Sequence, residues 1–287
     1  HFIKQKIILI IFNMFSHMLR LILLLAIFSC SSKNEELVNN FSSDIDLYKA
    51  GMNNLKKREF SDAVDRFTEL EIQHPYSQWA TKGQLMAGFA HYKANEYEEA
   101  ILTLSKFIEL NPTHESIPYA MYLKAYSYFE RMPDVNLDQR LSNRAVEEFS
   151  ELINKHPKSK YAKKSLTHLQ TLNNHLAASE VKIAKFYQSQ GYFLSSIKRY
   201  KNVLKNYKKS SHVPESIYRL IECYISLGLV KQSYYFYKIL EYNFPRSKWA
   251  EESRYIIKDK KINKNLKKFK KKQLDLKSLK PEDFDLI

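Results

Sequence analysis

The chain has 287 residues, and its 46 Lys and Arg against 31 Asp and Glu give a formal net charge of +15. It contains only five glycines and two cysteines, which excludes a glycine-rich phosphate loop and a disulfide-stapled scaffold. Residues 1–29 hold three cations and no acid, and residues 258–287 hold eleven Lys against five acids. Lys, Asn, Ile and Tyr are abundant together, as in an AT-rich genome, so the positive charge is weak evidence for a nucleic-acid partner.

The first segment of the chain predicts a secretory leader. Arg20 precedes an apolar run over residues 21–28, and small residues follow it. A short basic region, an apolar region and a small residue before a cleavage site are typical of a signal peptide. A run of eight apolar residues is too short to cross a bilayer as a helix, which needs about 20. We predict a signal peptide over 1–29. Met14 and Met18 are both candidate start sites, so residues 1–17 are either untranslated upstream sequence or part of a longer signal.

The end of this leader resembles the bacterial lipobox. Ile27 lies three positions before Cys30, and Ser29 lies immediately before it. The resemblance implies that Cys30 becomes an acylated N-terminus, and Ser31, which is not Asp, points to the outer membrane. Several acyl chains anchor a protein far more firmly than one chain does. Residues 30–44 are polar and predict a lipidated, flexible tether.

One spacing recurs five times along the body of the chain. A small residue is followed four positions later by an aromatic residue or Leu, and eight positions after that by a loop residue, which is proline in four of the copies. Residues four apart share one helix face, and proline ends a helix. A spacing that is constant within units but not between them is typical of a helical repeat with loop insertions. The copies are Ala63/Phe67/Pro75, Ala100/Leu104/Pro112, Ala145/Phe149/Pro157, Ser196/Tyr200/Lys208 and Ser233/Tyr237/Pro245.

An amphipathic stretch precedes each copy, which predicts a helix-turn-helix unit. These units resemble the tetratricopeptide repeat, with Gly51 and Gly88 at its small eighth position and Tyr187 and Tyr224 at its aromatic eleventh position. We predict an all-α fold, a right-handed solenoid of about five tetratricopeptide-like repeats within residues 45–257. The units are expected near 45–76, 81–113, 117–158, 177–209 and 214–246, followed by a Lys-rich C-terminal extension over 258–287.

The sequence carries no pattern typical of catalysis or metal binding. HExxH, CxxC and GxSxG are all absent, and no histidine has metal-ligand spacing with an acidic or Cys partner. We therefore predict no catalytic residue, no metal, no cofactor and no enzymatic activity. Cys223 lies in an apolar helical stretch, and we expect it to be a buried small hydrophobic residue.

The first helices of the repeats predict an aromatic groove. In the repeat family these helices line the concave face, and their positions hold rings here instead of the Lys and Asn that grip a carboxylate. Such a groove suits an extended or helical peptide with apolar and aromatic side chains. The alternative is that the rings only pack between helices. The candidate groove residues are Tyr48, Phe89, Tyr92, Tyr119, Tyr122 and Tyr126, with Met52 and Leu85 beside them.

The second unit ends in the block Asn-Pro-Thr-His at 111–114, and Tyr-Ala-Met-Tyr follows at 119–122. These blocks resemble the BamD/ComL lipoproteins of the outer-membrane β-barrel assembly (BAM) machinery. An insertion over 131–143 in the third unit is a feature of that family. The resemblance covers about residues 30–257. Further matches are Arg144, Ala145, Phe149, Pro157, Ser159 and Tyr161 in the third unit, and Tyr187, Gly191 and Arg199 in the fourth.

The resemblance implies a non-enzymatic BAM component facing the periplasm from the outer membrane. It implies that the C-terminal repeats hold BamA, with Arg199 facing an acidic residue there, and that the N-terminal groove reads the aromatic-ended signal of unfolded barrel proteins. An Arg fork suits carboxylate recognition in a partly desolvated interface. For Arg199 the alternative is a solvated charge on a helix face. Other assembly lipoproteins and outer-membrane lipid, through acylated Cys30, are the remaining expected partners.

Two other functions remain open from the sequence. A different periplasmic repeat lipoprotein, such as a Tol-linked or cell-wall scaffold, would share the leader and the repeats but lack the 111–114 and 119–122 blocks. A nucleic-acid or membrane-surface binder acting through 258–287 would need a location that the lipobox argues against. We therefore expect no nucleic-acid partner.

Overall fold

The computed structural model describes residues 43–258, in which every regular element is a helix. Four predicted features lie outside the described residues: the signal peptide, Cys30, nearly all of the tether and the extension beyond Lys258. They therefore remain predictions. None of the described helices has both the length and the apolar character needed to cross a membrane. The helices are α1 Asp44–Lys57, α2 Phe60–Gln73, α3 Gln78–Lys93, α4 Tyr97–Leu110, α5 Ile117–Glu130, α6 Arg140–Lys155, α7 Lys160–Ser189, α8 Phe193–Asn206, α9 Val213–Ser226, α10 Val230–Asn243 and α11 Lys248–Lys258.

The helices pack in chain order as antiparallel pairs. Each helix contacts the next one, and first helices of neighbouring pairs also touch, α1 on α3, α3 on α5 and α5 on α7. The last helix, α11, packs on α9 and α10 and so covers the end of the fifth pair. Contacts limited to neighbours are the signature of a repeat protein. The predicted all-α fold of helix-turn-helix repeats is thus confirmed.

The recurring spacing forms the core of the first four pairs, whereas in the fifth pair Tyr237 is only partly buried and Phe236 is the buried ring. Ala63, Ala100 and Ala145 have no exposed surface, and the ring or Leu four residues later is buried to the same extent. A Cβ on Gly51 would lie 2.6 Å from the Phe67 ring, and one on Gly88 would lie 2.7 Å from Leu104. The eighth position must therefore be small, because a large side chain of the second helix fills the space beside it.

The loops between pairs share one turn, which explains how Lys208 replaces a proline. After α2, the His74 N–H donates to Leu70 O at 2.9 Å, and the Ser77 N–H donates back to His74 O at 3.0 Å. After α8, the Ser210 N–H donates to Tyr207 O at 2.8 Å in the same way. The residue after the helix cap needs no N–H bond in such a turn, so proline is favoured there but other residues fit.

The turns inside four of the pairs also share one geometry. The residue that ends the first helix has a positive φ, 64° at Arg58, 63° at Asn95, 78° at Gly191 and 72° at Gly228. This left-handed residue lets the backbone close the end of the helix. The third pair instead uses a longer connection from Arg131 to Gln139, and the last part of the predicted 131–143 insertion is helical because α6 begins at Arg140.

The fourth pair begins with an unusually long helix. Helix α7 has 30 residues, from Lys160 to Ser189, so the fourth unit predicted from 177 starts inside it. Neither proline nor glycine interrupts residues 160–189, and nothing in the local sequence ends the helix. The N-terminal half of α7 therefore lies against the third pair, where α7 contacts both α5 and α6.

Cys223 on α9 is a buried thiol, as expected. It has no exposed surface, and its Sγ lies 3.7 Å from the Ser196 hydroxyl. Burial raises the pKa of the thiol to about 11, because the surrounding side chains solvate a thiolate poorly. The residue thus packs as a small hydrophobic group and is unreactive near neutral pH.

Candidate functional site

Rings from three first helices meet in one cluster, which we name the aromatic band. The rings of Tyr92 and Tyr126 lie 5.9 Å apart, and Tyr122 stacks on Tyr126 at 5.7 Å. Tyr161 lies 5.5 Å from Tyr122 and 5.2 Å from Tyr119. These centroid distances are within the favourable range for aromatic pairs. The band consists of Tyr92 on α3, Tyr119, Tyr122 and Tyr126 on α5, and Tyr161 and His168 on α7.

His168 joins the band to the core beneath it. Its Nε2 lies 3.1 Å from the Tyr122 hydroxyl, and its ring stacks on Phe149 at 5.2 Å. Tyr126 and Phe129 lie 4.9 and 5.0 Å from the same ring. Burial lowers the pKa of His168, because the rings around it solvate an imidazolium poorly. A neutral imidazole at this position fixes the orientation of the Tyr122 ring.

The tyrosines of the band are partly buried, so part of each side chain is accessible. Burial raises the pKa of Tyr119 to about 12. The pKa of Tyr126 is raised as well, first by burial and then by the neighbouring Glu130 carboxylate. The band therefore presents apolar ring surface with neutral phenol groups, which can bury apolar or aromatic side chains and donate hydrogen bonds.

The structure brings together four of the six predicted groove residues. Tyr48 lies apart from the band, with its ring 4.9 Å from Trp79 and 6.0 Å from Phe67. Phe89 packs on the core of the second pair, and the Lys93 ammonium lies 5.9 Å from its ring centroid. Tyr92, Tyr119 and Tyr122 pack on the same core as Phe89, so the alternative of rings that only pack between helices applies to the band as well.

Sequence reasoning missed Tyr161 and His168. Tyr161 was noted only as a family match, and neither residue was placed in the groove, because both lie between the predicted third unit (117–158) and the predicted fourth unit (177–209). They stand seven residues apart and so lie on one helix face. The available signal was the absence of any helix-breaking residue between 160 and 189. A helix continued through that stretch would have placed both rings beside α5.

The first helices of the C-terminal half carry paired charges instead, and we name Lys185, Glu215, Arg219 and Glu222 the charged face. The Arg219 guanidinium contacts Glu222 at 2.8 Å and Glu215 at 3.9 Å, and Lys185 pairs with the same Glu215. The guanidinium also lies 5.5 Å from the Trp249 ring. Because each of these charged side chains already forms an ion pair within the chain, a ligand would gain little by pairing with the charged face.

Arg199 lies at a different place, in a cleft along α8. Its Nη1 is 3.2 Å from both carboxylate oxygens of Glu180, and about two fifths of its side chain is exposed (41%). The cleft has a volume of about 950 Å³. We name it the α8 cleft, and its lining residues are Tyr187, Leu194, Ser195, Ile197, Lys198, Arg199, Lys201, Asn202, Leu204 and Lys205.

The described residues offer no group of three or more His, Cys, Asp or Glu side chains that could hold a metal ion. Within 43–258, the rings of the N-terminal half and the cations on α8 are candidate binding groups.

Comparisons with known proteins give a consistent family. The family model described as YfiO, outer membrane lipoprotein, matches residues 42–239. A protein of Caulobacter vibrioides named outer membrane protein assembly factor BamD is 37% identical over 213 residues, which are 74% of this chain and 70% of that protein. A protein of Rickettsia prowazekii with the same name is 34% identical over 240 residues, 83% of this chain and 95% of that protein. The Neisseria meningitidis serogroup A protein of that name is 26% identical over 238 residues, 78% of this chain and 89% of that protein.

Among solved structures, the chain matches the TPR2AB domain of yeast Sti1 in its complex with an Hsp90 peptide. The TM-score is 0.43 and the identity 14%, over 72% of this chain and 80% of that one. The tetratricopeptide domain of P58(IPK) matches with a TM-score of 0.40 and 13% identity, over 79% of this chain and 65% of that one.

Proposed function

The chain belongs to the BamD family of outer membrane protein assembly factors, and we propose that it works as a non-enzymatic binding component of the BAM machinery. The match over residues 42–239 carries this proposal, because it includes both the aromatic band and the α8 cleft. In this role the N-terminal half binds unfolded barrel proteins and the C-terminal half contacts BamA.

The aromatic band supports the first part of the role. An unfolded barrel strand alternates apolar and polar side chains. Its apolar and aromatic side chains would bury themselves against the accessible ring surfaces of Tyr92, Tyr122 and Tyr126. An extended peptide of this kind loses much conformational freedom on binding, so rigid rings that are already packed favour its capture.

The test of this part is peptide binding. Tyr122→Ala and Tyr92→Ala should each weaken the binding of a fluorescent peptide from a barrel strand by about tenfold or more, since buried aromatic contacts dominate such interfaces. Tyr76→Ala is the matched control, because Tyr76 is fully exposed outside the band (101%). Unchanged affinity in variants with native circular dichroism would remove this part of the proposal.

The α8 cleft supports the second part. Arg199 presents a partly exposed guanidinium whose Glu180 partner lies on the neighbouring helix, so a carboxylate of BamA could share it. Arg199→Glu places like charges beside Glu180 and should reduce the recovery of BamA from detergent-solubilised envelopes. Arg144→Glu is the control, since Arg144 forms an exposed pair with Glu147 on α6. An Arg199→Glu chain that retains BamA fully would contradict this assignment.

Anchoring through acylated Cys30, with the repeats in the periplasm, is the remaining part. Cys30→Ala should move the protein from the outer-membrane fraction to the soluble fraction, and mass spectrometry of the wild-type N-terminus should show the acyl chains. An affinity preparation that yields Tol or cell-wall proteins in place of BamA would favour the scaffold alternative.

A further inference from the structure

The α8 cleft combines unpaired cations with apolar surface. Lys198, Lys201 and Lys205 line it, and none of them has an ion pair within residues 43–258. Leu194 stands at its edge with 72% of its surface exposed, above the buried Ile197 and Leu204. An occupant that suits this surface carries carboxylates and apolar side chains on one short segment.

Two further exposed rings flank the cleft. The Phe186 ring lies 5.9 Å from that of the cleft residue Tyr187, Tyr192 lies two residues before Leu194 in the chain, and the two rings' residues expose 62% and 63% of their surfaces. Large exposed apolar side chains clustered in this way mark an interaction site more often than single ones do. The cleft therefore resembles a peptide groove, with a cationic wall and an apolar rim.

The cationic wall favours an acidic occupant. Burial lowers the pKa of Lys201, because the ammonium loses water without gaining a carboxylate. A carboxylate placed beside it would restore the favourable environment of the charged form. An occupant without carboxylates would leave this cost in place.

One segment of the chain has the required composition. Residues 281–287 read Pro-Glu-Asp-Phe-Asp-Leu-Ile, with three acids and three large apolar residues and no cation. The stretch before it, 260–272, contains eight Lys and no acid, so it is repelled by the same cleft. We infer that residues 281–287 dock in the α8 cleft of their own chain, with Glu282, Asp283 and Asp285 facing its lysines.

The connection is long enough for this docking. Helix α8 packs on α9, and α9 packs on α11, which ends at Lys258. Two helix spacings of about 8–10 Å place α8 roughly 20 Å from α11. The residues between 258 and 281 can span up to about 70 Å when extended. A tether of this kind gives an effective concentration on the order of millimolar, so even a weak segment would occupy the cleft for much of the time.

Docking of 281–287 would cover the surface beside Arg199. An acidic partner would then have to displace the segment, which makes the segment a competitive regulator of that contact. This consequence rests on the proposed function, whereas the docking itself does not.

The test is photo-crosslinking in the full chain. With p-benzoylphenylalanine in place of Phe284, irradiation should give adducts within one polypeptide to residues of α8 or the end of α7, mapped by mass spectrometry. The same probe in place of Phe269 is the matched control, because that residue lies among the lysines of 260–272 and should give no such adduct. Adducts to other helices, or adducts between two chains only, would overturn the inference.

Charge reversal supplies the second arm. The tail variant E282K/D283K/D285K, or the cleft variant K198E/K201E/K205E, should each lower the yield of the adduct by about tenfold, because three ion pairs are lost. Combining both sets should restore it. If the adduct yield stayed at the wild-type level in both variants, and both had native circular dichroism, the inference would be overturned. If the adduct forms as expected but BamA binds neither wild type nor the tail variant, the docking stands and the proposed function fails.

Discussion

The two halves of the described chain use the same helix pairs but present different surfaces on the first helices. In the N-terminal half, the ring of Tyr126 packs on Tyr92 and Tyr122, and all three side chains are only partly buried. In the C-terminal half, Arg219 and Lys185 are paired with acids of the same chain. Open apolar surface gains free energy when a partner covers it, whereas paired charges gain little. The difference supports the proposal that a ligand of the first helices binds in the N-terminal half.

The largest expected effect comes from removing the buried ring on which the band packs. Phe149→Ala should lower the free energy of unfolding by about 3–5 kcal/mol, since Phe149 is completely buried and supports both Tyr122 and His168. Tyr237→Ala, at the same repeat position in the fifth pair, should cost clearly less because Tyr237 is only partly buried. Urea unfolding of both variants measures the difference, and equal losses would show that the two halves share one kind of core.

A second test uses alkaline pH. Because burial raises the pKa of Tyr119 to about 12, the unfolded chain loses this proton before the folded chain does. Its contribution to stability is therefore complete below about pH 10 and is lost as the pH rises through about 12. Tyr119→Phe should reduce this alkaline loss by at most about 3 kcal/mol.

The measurement is the urea midpoint at neutral pH and at a pH between these two values. Tyr76→Phe, on a fully exposed ring, is the control and should leave the loss unchanged. A Tyr119→Phe protein with the same alkaline loss as wild type would mean that the ring of Tyr119 is not buried.

A third test breaks the charged face. Arg219→Gln leaves Glu215 and Glu222 without their shared cation and should cost about 1–3 kcal/mol in the free energy of unfolding. Arg144→Gln, which breaks the exposed pair with Glu147, should have no measurable effect. If the two variants were equally stable, the ion pairs of the charged face would be no more than surface contacts.

The smallest effect concerns the turns. The N-terminal half places Arg58 at the left-handed position where the C-terminal half has Gly228, with φ of 64° and 72°. Arg58→Gly should stabilise the protein by about 1 kcal/mol, and Gly228→Arg should destabilise it by a similar amount. Thermal unfolding of the pair measures both, and shifts of the same sign would argue against a shared turn geometry.

The repeat pattern could be predicted because its causes are local. Periodicity of 3.6 residues placed Ala63 and Phe67 on one helix face, and both are buried as that spacing implies. Pro75 predicted the end of α2 because proline has no backbone N–H and cannot continue a helix. The family was also readable, since residues 111–114 and 119–122 lie next to one another in the chain.

The site was only partly predictable, because its contacts join residues far apart in sequence. The band needs Tyr161 and His168, and their position depends on how the N-terminal half of α7 packs on α5. Tyr48 shares the periodicity of the other candidates, yet its neighbours are Trp79 and Phe67. Arg199 was predicted from the family resemblance, but its partner Glu180 lies on another helix, 19 residues away.

The sequence by itself determined the helices, the small residues between them, the repeats and the family, because each of these follows from properties of short segments. Tertiary structure alone decided which rings form a continuous surface and which charges are already paired. The physical reason is that burial and pairing depend on neighbours brought together by packing. The same Tyr or Arg can be a core residue, a paired charge or a binding group according to what the next helix places beside it.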